Sequence, residues 1–146
     1  MLNIKNPISI KRTIQLSLSI LGLLSLFHLS VIVGIIFFDY TPIEFLWGGR
    51  METAEELLRF EIISFVVMLV CLFIVLVKAG RIYLPRLSGF ITIALWILFI
   101  LFLLNTIGNI LAETTFEKLF AIITIILAIL CLRLAIDRNQ TYNNEL

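Results

Sequence analysis

The stretch FITIALWILFILFLLNTIGNILA, residues 90–112, contains no charged side chain and is almost entirely apolar. A helix rises about 1.5 Å per residue, and the hydrocarbon core of a bilayer, about 30 Å thick, needs roughly 17 to 25 helical residues. The stretch is therefore long enough and apolar enough to cross a membrane as one helix. This segment places the chain in a bilayer.

Three further apolar runs accompany it, over residues 13–38, 62–77 and 119–136. The run at 62–77 is short for a membrane span, but Thr53-Ala54-Glu55-Glu56 is typical of a capping box, which starts a helix earlier. Thr114-Thr115-Phe116-Glu117 has the same pattern ahead of the last run. We therefore predict helices over about 13–38, 54–79, 89–112 and 115–136.

The composition agrees with an all-α integral membrane four-helix bundle that forms a single domain over residues 1–146. Hydrophobic residues make up 61% of the chain and charged residues 14%, against about 45 to 50% and about 25% in soluble domains. The run at 13–38 is longer than the apolar core of a signal peptide and ends without small residues, so we expect it to be retained. The formal net charge of +1 produces no strong positive electrostatic field that would favour binding of nucleic acid.

The distribution of Lys and Arg predicts that both termini lie inside. With that orientation the external segments hold only Arg50, Arg59 and Lys118, and every other basic residue is internal. The inner group is Lys5, Lys11, Arg12, Lys78, Arg81, Arg86, Arg133 and Arg138. We expect a multi-pass protein of the bacterial cytoplasmic membrane, with an external loop at residues 39–53 and a cytoplasmic tail at 137–146.

A polar residue inside a membrane helix costs free energy, so such residues are the first candidates for a functional site. Asn105 and Asn109 are four residues apart and share one face of the third helix, next to Gly108. Two interpretations are open. Asparagines beside glycine let membrane helices pack closely and bond across an interface, or the amides line a site for a ligand.

Glu61 directly precedes the second apolar run, so we expect it at the outer headgroup boundary. Glu55 and Arg59 form a four-apart pair of their own, which leaves Arg50 or Lys118 as the expected partner of Glu61. The pair is either a structural tie between the loop and the bundle or one wall of a polar cleft.

His28 lies alone near the middle of the first helix, about 15 Å below its outer end. No second His, Cys or carboxylate is expected at its depth, so we predict no metal site and no cofactor. His28 would then lie at the floor of the candidate cleft formed by Arg50, Glu61, Asn105 and Asn109.

The external loop contains Trp47-Gly48-Gly49-Arg50. Tryptophan favours the membrane interface, so Trp47 is predicted to anchor the loop there. The loop would then either lie along the outer surface or fold over the mouth of the bundle. The two glycines allow the chain to reverse at positive φ.

These stretches together resemble an uncharacterised family of small bacterial four-helix membrane proteins. The resemblance lies in Trp47-Gly48-Gly49-Arg50 in the first outer loop and in Asn105-Thr106-Ile107-Gly108-Asn109 in the third helix, and it covers residues 20–136. It implies bacterial origin and topology, and it implies no catalytic residues.

Two functions follow as hypotheses. The first is a non-enzymatic protein whose external polar patch is structural or contacts a membrane protein partner. The alternative is a binder or enzyme for a lipid- or quinone-like molecule in an outer-leaflet cleft. Convergence of the polar residues on one open cavity would favour the second.

Overall fold

The computed structural model describes residues 9–137 as a bundle of four helices. They are α1 (Ile10–Phe38), α2 (Ala54–Lys78), α3 (Ser88–Ile110) and α4 (Thr115–Ile136), with short 3-10 helices at Trp47–Gly49 and Pro85–Leu87. All four long helices are sufficiently apolar to cross a membrane. The all-α four-helix fold is confirmed, and the chain is a multi-pass membrane protein. Residues 138–146 of the predicted tail, and Lys5, lie outside the described residues.

Threonine caps start α2 and α4 where the sequence predicts them. The backbone N–H of Glu56 donates to Oγ1 of Thr53 over 3.2 Å, and that of Glu117 donates to Oγ1 of Thr114 over 3.3 Å. The returning carboxylate of Glu56 accepts instead from the backbone N–H of Glu52, at 3.0 Å. A cap of this kind stabilises a helix by about 1 kcal/mol, so these two starts are fixed locally.

The helices pack as two antiparallel hairpins, α1 with α2 and α3 with α4, which join where α4 meets α1. Leu21, Leu95, Leu127 and Leu134 are fully buried between them. The Thr106 hydroxyl donates to Oγ1 of Thr124 over 2.9 Å, which ties α3 to α4. In contrast, α2 and α3 touch only loosely. The bundle is therefore closed on three sides and loosely packed on the fourth.

Candidate polar cavity at the loop end of the bundle

The site lies at what we call the loop end of the bundle, which carries the α1–α2 loop (residues 39–53) and the α3–α4 connection (residues 111–114). Its centre is Glu61, whose side chain is 1% exposed. Oε1 accepts from the indole Nε1–H of Trp47 over 2.9 Å, and Oε2 lies 2.7 Å from Nδ1 of His28. An ionised carboxylate can only accept, so Nδ1 of His28 then donates. Both oxygens of the buried acid are satisfied.

This pairing corrects two predictions. Glu61 pairs with His28 and not with Arg50 or Lys118, and His28 therefore does have a carboxylate at its own depth. His28 precedes the end of α1 by about 15 Å, and Glu61 follows the start of α2 by roughly 10 Å. Glu61 therefore lies about two turns inside α2, although it precedes the apolar run at 62–77. Neighbouring antiparallel helices then bring the two side chains together.

Arg50 is exposed and does not line the cavity. Within residues 9–137 it forms no ion pair, whereas the predicted pair of Glu55 and Arg59 is present. Its backbone N–H is bonded to the carbonyl of Trp47. The loop therefore turns Arg50 away from Glu61, and Arg50 is not part of the site.

Trp47 folds over the mouth of the bundle. Its ring packs on Phe60 with centroids 5.1 Å apart, and the preceding Leu46 is buried against Val31 and Leu57. Trp47 has a φ of 54°, a left-handed conformation that costs an L-residue about 1 to 2 kcal/mol. The bond to Glu61 and the ring packing offset this cost. Anchoring of Trp47 at the membrane interface stays a prediction.

The turn itself is made by residues of positive φ, as the sequence predicts, but Trp47 shares this role with Gly49. A Cβ on Gly49 would meet the carbonyl oxygen of Glu44 at 3.4 Å, and its φ is 65°. Glycine is the residue that adopts this conformation without strain. The turn therefore fixes where the indole of Trp47 points.

A cavity of about 250 Å³ adjoins the buried acid. The polar side chains that line it are His28, Trp47, Glu61, Ser64, Asn105, Asn109, Glu117 and Thr124. Ile63 and Val67 of α2 also line it, and they are 60% and 42% exposed. The cavity therefore opens sideways between α2 and α3, where a membrane would present lipid chains.

The two asparagines line this cavity and do not make a tight helix contact. Asn105 is exposed and Asn109 is partly buried, and a Cβ added to Gly108 would meet nothing within 4 Å. Within the described part of the chain, neither side-chain amide has a hydrogen-bond partner. An amide without a hydrogen bond in an apolar setting costs free energy. A ligand or a partner that bonds to these two amides would remove that cost.

Four of the five predicted cleft residues thus come together, and the sequence missed others. Ser64 follows Glu61 by one turn of α2, and its hydroxyl has no partner among residues 9–137. Glu117 and a cluster of Phe27, Phe116 and Phe120 complete the wall. The i to i+3 spacing from Glu61 to Ser64 was the one signal that could have identified a further residue.

The chemistry of the site is hydrogen bonding next to an oriented imidazole. With Nδ1 held by Glu61, the Nε2 atom of His28 has no partner in the described part of the chain. A histidine held by a carboxylate can accept or donate a proton at its other nitrogen. No group of three or more His, Cys, Asp or Glu in residues 9–137 is arranged to hold a metal ion.

Replacing Trp47 by phenylalanine is expected to lower the free energy of unfolding by about 1 to 3 kcal/mol, because the Oε1 atom of Glu61 loses its donor in a buried setting. Unfolding of the detergent-purified protein, followed by circular dichroism, measures this change. Trp96→Phe is the matched control, since Trp96 is exposed on α3 and forms no hydrogen bond among residues 9–137. Equal losses in both variants would contradict the assigned bond.

Comparison with protein family models, with curated proteins and with solved structures finds no match for this chain. The resemblance to small bacterial four-helix membrane proteins stays a prediction. A function must therefore be argued from three observations: the cavity, its unpaired amides and the pair of His28 and Glu61.

Proposed function

We propose that this protein, in the bacterial cytoplasmic membrane, binds a lipid- or quinone-like amphiphile in the cavity at the loop end. The observation that supports this most is the coincidence of unpaired polar groups with a lateral opening. Asn105, Asn109 and Ser64 leave hydrogen-bonding atoms unused on the wall of a cavity that opens between α2 and α3.

The size of the cavity fits a head group together with the first part of a chain. Pockets for small molecules usually measure about 300 to 1,000 Å³, and this one has about 250 Å³. The rest of an apolar chain would lie in the loosely packed gap between α2 and α3. Binding of this kind needs no large rearrangement of the helices.

The distribution of basic residues supports an external position for the loop end. Lys11, Arg12, Lys78, Arg81 and Arg86 all lie at the opposite end, and basic residues favour the cytoplasmic side. The cavity would then receive its ligand from the outer leaflet.

We propose binding without catalysis as the primary role. Glu61 is bonded on both oxygens, so it serves to orient His28 and Trp47. Among residues 9–137, no serine, threonine or cysteine lies within hydrogen-bonding distance of the histidine ring. The wall offers donors and acceptors that hold a polar head group in place.

A second candidate is contact with a membrane protein partner through α3. The exposed Asn105 and the open surface over Gly108 favour it, because asparagine and glycine on a lipid-facing surface promote helix association. Sedimentation in detergent of the wild type and of Gly108→Leu tests this candidate. A loss of associated mass in the variant would support it, and unchanged mass would count against self-association.

The double variant Asn105→Leu, Asn109→Leu is expected to bind the amphiphile roughly thirtyfold more weakly, because each of the two lost hydrogen bonds removes about 1 kcal/mol. Native mass spectrometry of the detergent-purified protein measures the bound fraction. Thr92→Val is the control, since Thr92 lies on α3 away from the cavity. Equal retention in the wild type and the double variant would rule out the proposed site.

A further inference from the structure

We infer that the amphiphile bound in this cavity presents a carbonyl oxygen, which accepts a hydrogen bond from Nε2–H of His28. The inference rests on the proposed function and adds the chemical class of the head group. It is carried by the bonds that His28 and Glu61 make and by the burial of this pair. A quinone and a lipid ester both offer such an oxygen, so both are sources of the ligand chemistry.

The Nε2 atom of His28 is in contact with the open space of the cavity. Among residues 9–137 two side-chain polar atoms are both buried and without a partner, Nε of Arg133 and Oδ2 of Asp137, and Nε2 of His28 is not one of them. Since Nε2 has no hydrogen-bond partner in that part of the chain, it must be accessible. His28 lines the cavity, so a ligand there can reach this nitrogen.

The burial of Glu61 favours a pair without net charge. Its side chain is 1% exposed, and an isolated buried charge costs far more free energy than a compensated one. The indole N–H of Trp47 is a neutral donor, and none of the described residues that line the cavity is Lys or Arg. His28 is therefore the group that compensates the acid. Its distance of 2.7 Å to Oε2 is typical of charge-assisted bonds, which measure roughly 2.7 to 2.9 Å.

The hydrogen bonds of the pair then decide which atoms carry hydrogen. A pair of His28 and Glu61 with zero net charge holds two exchangeable hydrogens. One lies in the bond between Nδ1 and Oε2. Oε1 accepts from the indole N–H of Trp47, so it carries none. The second hydrogen is therefore on Nε2, whichever of Nδ1 and Oε2 holds the first.

A donor at Nε2 selects the head group. A carbonyl oxygen only accepts and has two lone pairs, whereas an ammonium group only donates. The side chains of Asn105, Asn109 and Ser64 line the same cavity and each can donate or accept. They can donate to the second lone pair of a carbonyl oxygen, but they do not discriminate between head groups. Nε2–H of His28 is the group that does.

The first part of the test reads the hydrogen on Nε2 directly. The chain contains one histidine, so protein labelled with nitrogen-15 histidine, and purified with a tag that holds no histidine, gives nuclear magnetic resonance signals from His28 alone. At neutral pH we expect Nε2 to carry a bonded hydrogen, and we expect its resonance to move when a carbonyl amphiphile is added but not when an alkane is added. A bare Nε2 would overturn the inference and leave binding itself untouched.

The second part compares four probes with one chain: hexadecane, hexadecylamine, methyl hexadecanoate and a fully substituted benzoquinone that carries a hexadecyl group. Each is titrated into delipidated wild-type protein, and the probe extracted from the repurified protein is quantified by mass spectrometry. We expect the two carbonyl probes to bind about tenfold more tightly than hexadecane, and the amine to bind no more tightly than hexadecane. The tighter of the two carbonyl probes identifies the source, quinone or ester. His28→Phe keeps a ring without the donor and should abolish the preference.

The outcomes separate the two proposals. Equal binding of hexadecane and the carbonyl probes, or tighter binding of the amine than of both carbonyl probes, would overturn the assignment of a carbonyl head group while retention in the cavity still stood. If none of the four probes is retained beyond the level seen in Ser64→Phe, which fills the cavity, the proposed binding function itself fails. The resonance of His28 and the selectivity of the wild type need no variant, so misfolding of His28→Phe would not obscure them.

Discussion

Glu61→Leu is expected to lower the free energy of unfolding by about 2 to 4 kcal/mol. Leucine fits the volume but accepts no hydrogen bond, so the indole N–H of Trp47 and the Nδ1–H of His28 both lose their acceptor. A buried donor without a partner costs about 1 to 3 kcal/mol. Reversible unfolding by denaturing detergent, followed by circular dichroism, measures the change.

Glu55→Leu is the matched control on the same helix. Glu55 is exposed and pairs with the exposed Arg59, and exposed pairs contribute less than about 1 kcal/mol. A second control is the double variant Glu61→Leu, His28→Leu, which should recover part of the loss because it removes one stranded donor. If Glu61→Leu costs no more than Glu55→Leu, the carboxylate is not bonded as described.

The four-helix fold was predictable because it follows from local quantities. The length and hydropathy of each apolar run set the number of spans, and Thr53 and Thr114 mark two helix starts through bonds within one turn. Neither property depends on how the helices pack against each other. The run at 62–77 alone would have been ambiguous, and the cap at Thr53 resolved it.

The individual residues of the site were predictable from the sequence, whereas their pairing was not. His28, Glu61, Asn105 and Asn109 stand out because each is polar within or beside an apolar run, and the structure places all four on one cavity. Their pairing was not predictable, since it depends on the relative depth and rotation of α1 and α2. A difference of one helical turn would separate His28 from Glu61.

Arg50 and Ser64 show the two ways in which the prediction failed. Arg50 was included as the expected cationic partner of a carboxylate at the membrane boundary, yet its direction is set by the turn at Trp47 and Gly49. Ser64 was not among the predicted residues, and a membrane serine can simply bond to a carbonyl of its own helix, as Ser17 and Ser25 do here. Only the three-dimensional packing shows that Ser64 faces a cavity.

Ser64→Phe is expected to abolish binding of an amphiphile and to leave the fold intact. The residue lines a cavity of about 250 Å³, so a benzyl group can enter the space that a ligand would occupy. The added ring occupies open space and displaces no packed core residue, so the fold should be kept, whereas binding should fall by more than tenfold. Val66→Phe adds similar bulk two residues away, at an exposed position outside the cavity, and should bind as the wild type does.

The most direct measurement of whether the cavity is a binding site is photolabelling with a long-chain alcohol that carries a diazirine beside its head group. Mapping by peptide mass spectrometry should place the label in the wild type and in Val66→Phe on segments 61–68 and 102–109, and Ser64→Phe should lose it. Label spread evenly over the lipid-facing surfaces of all four helices, and unchanged in Ser64→Phe, would contradict a binding site at the loop end.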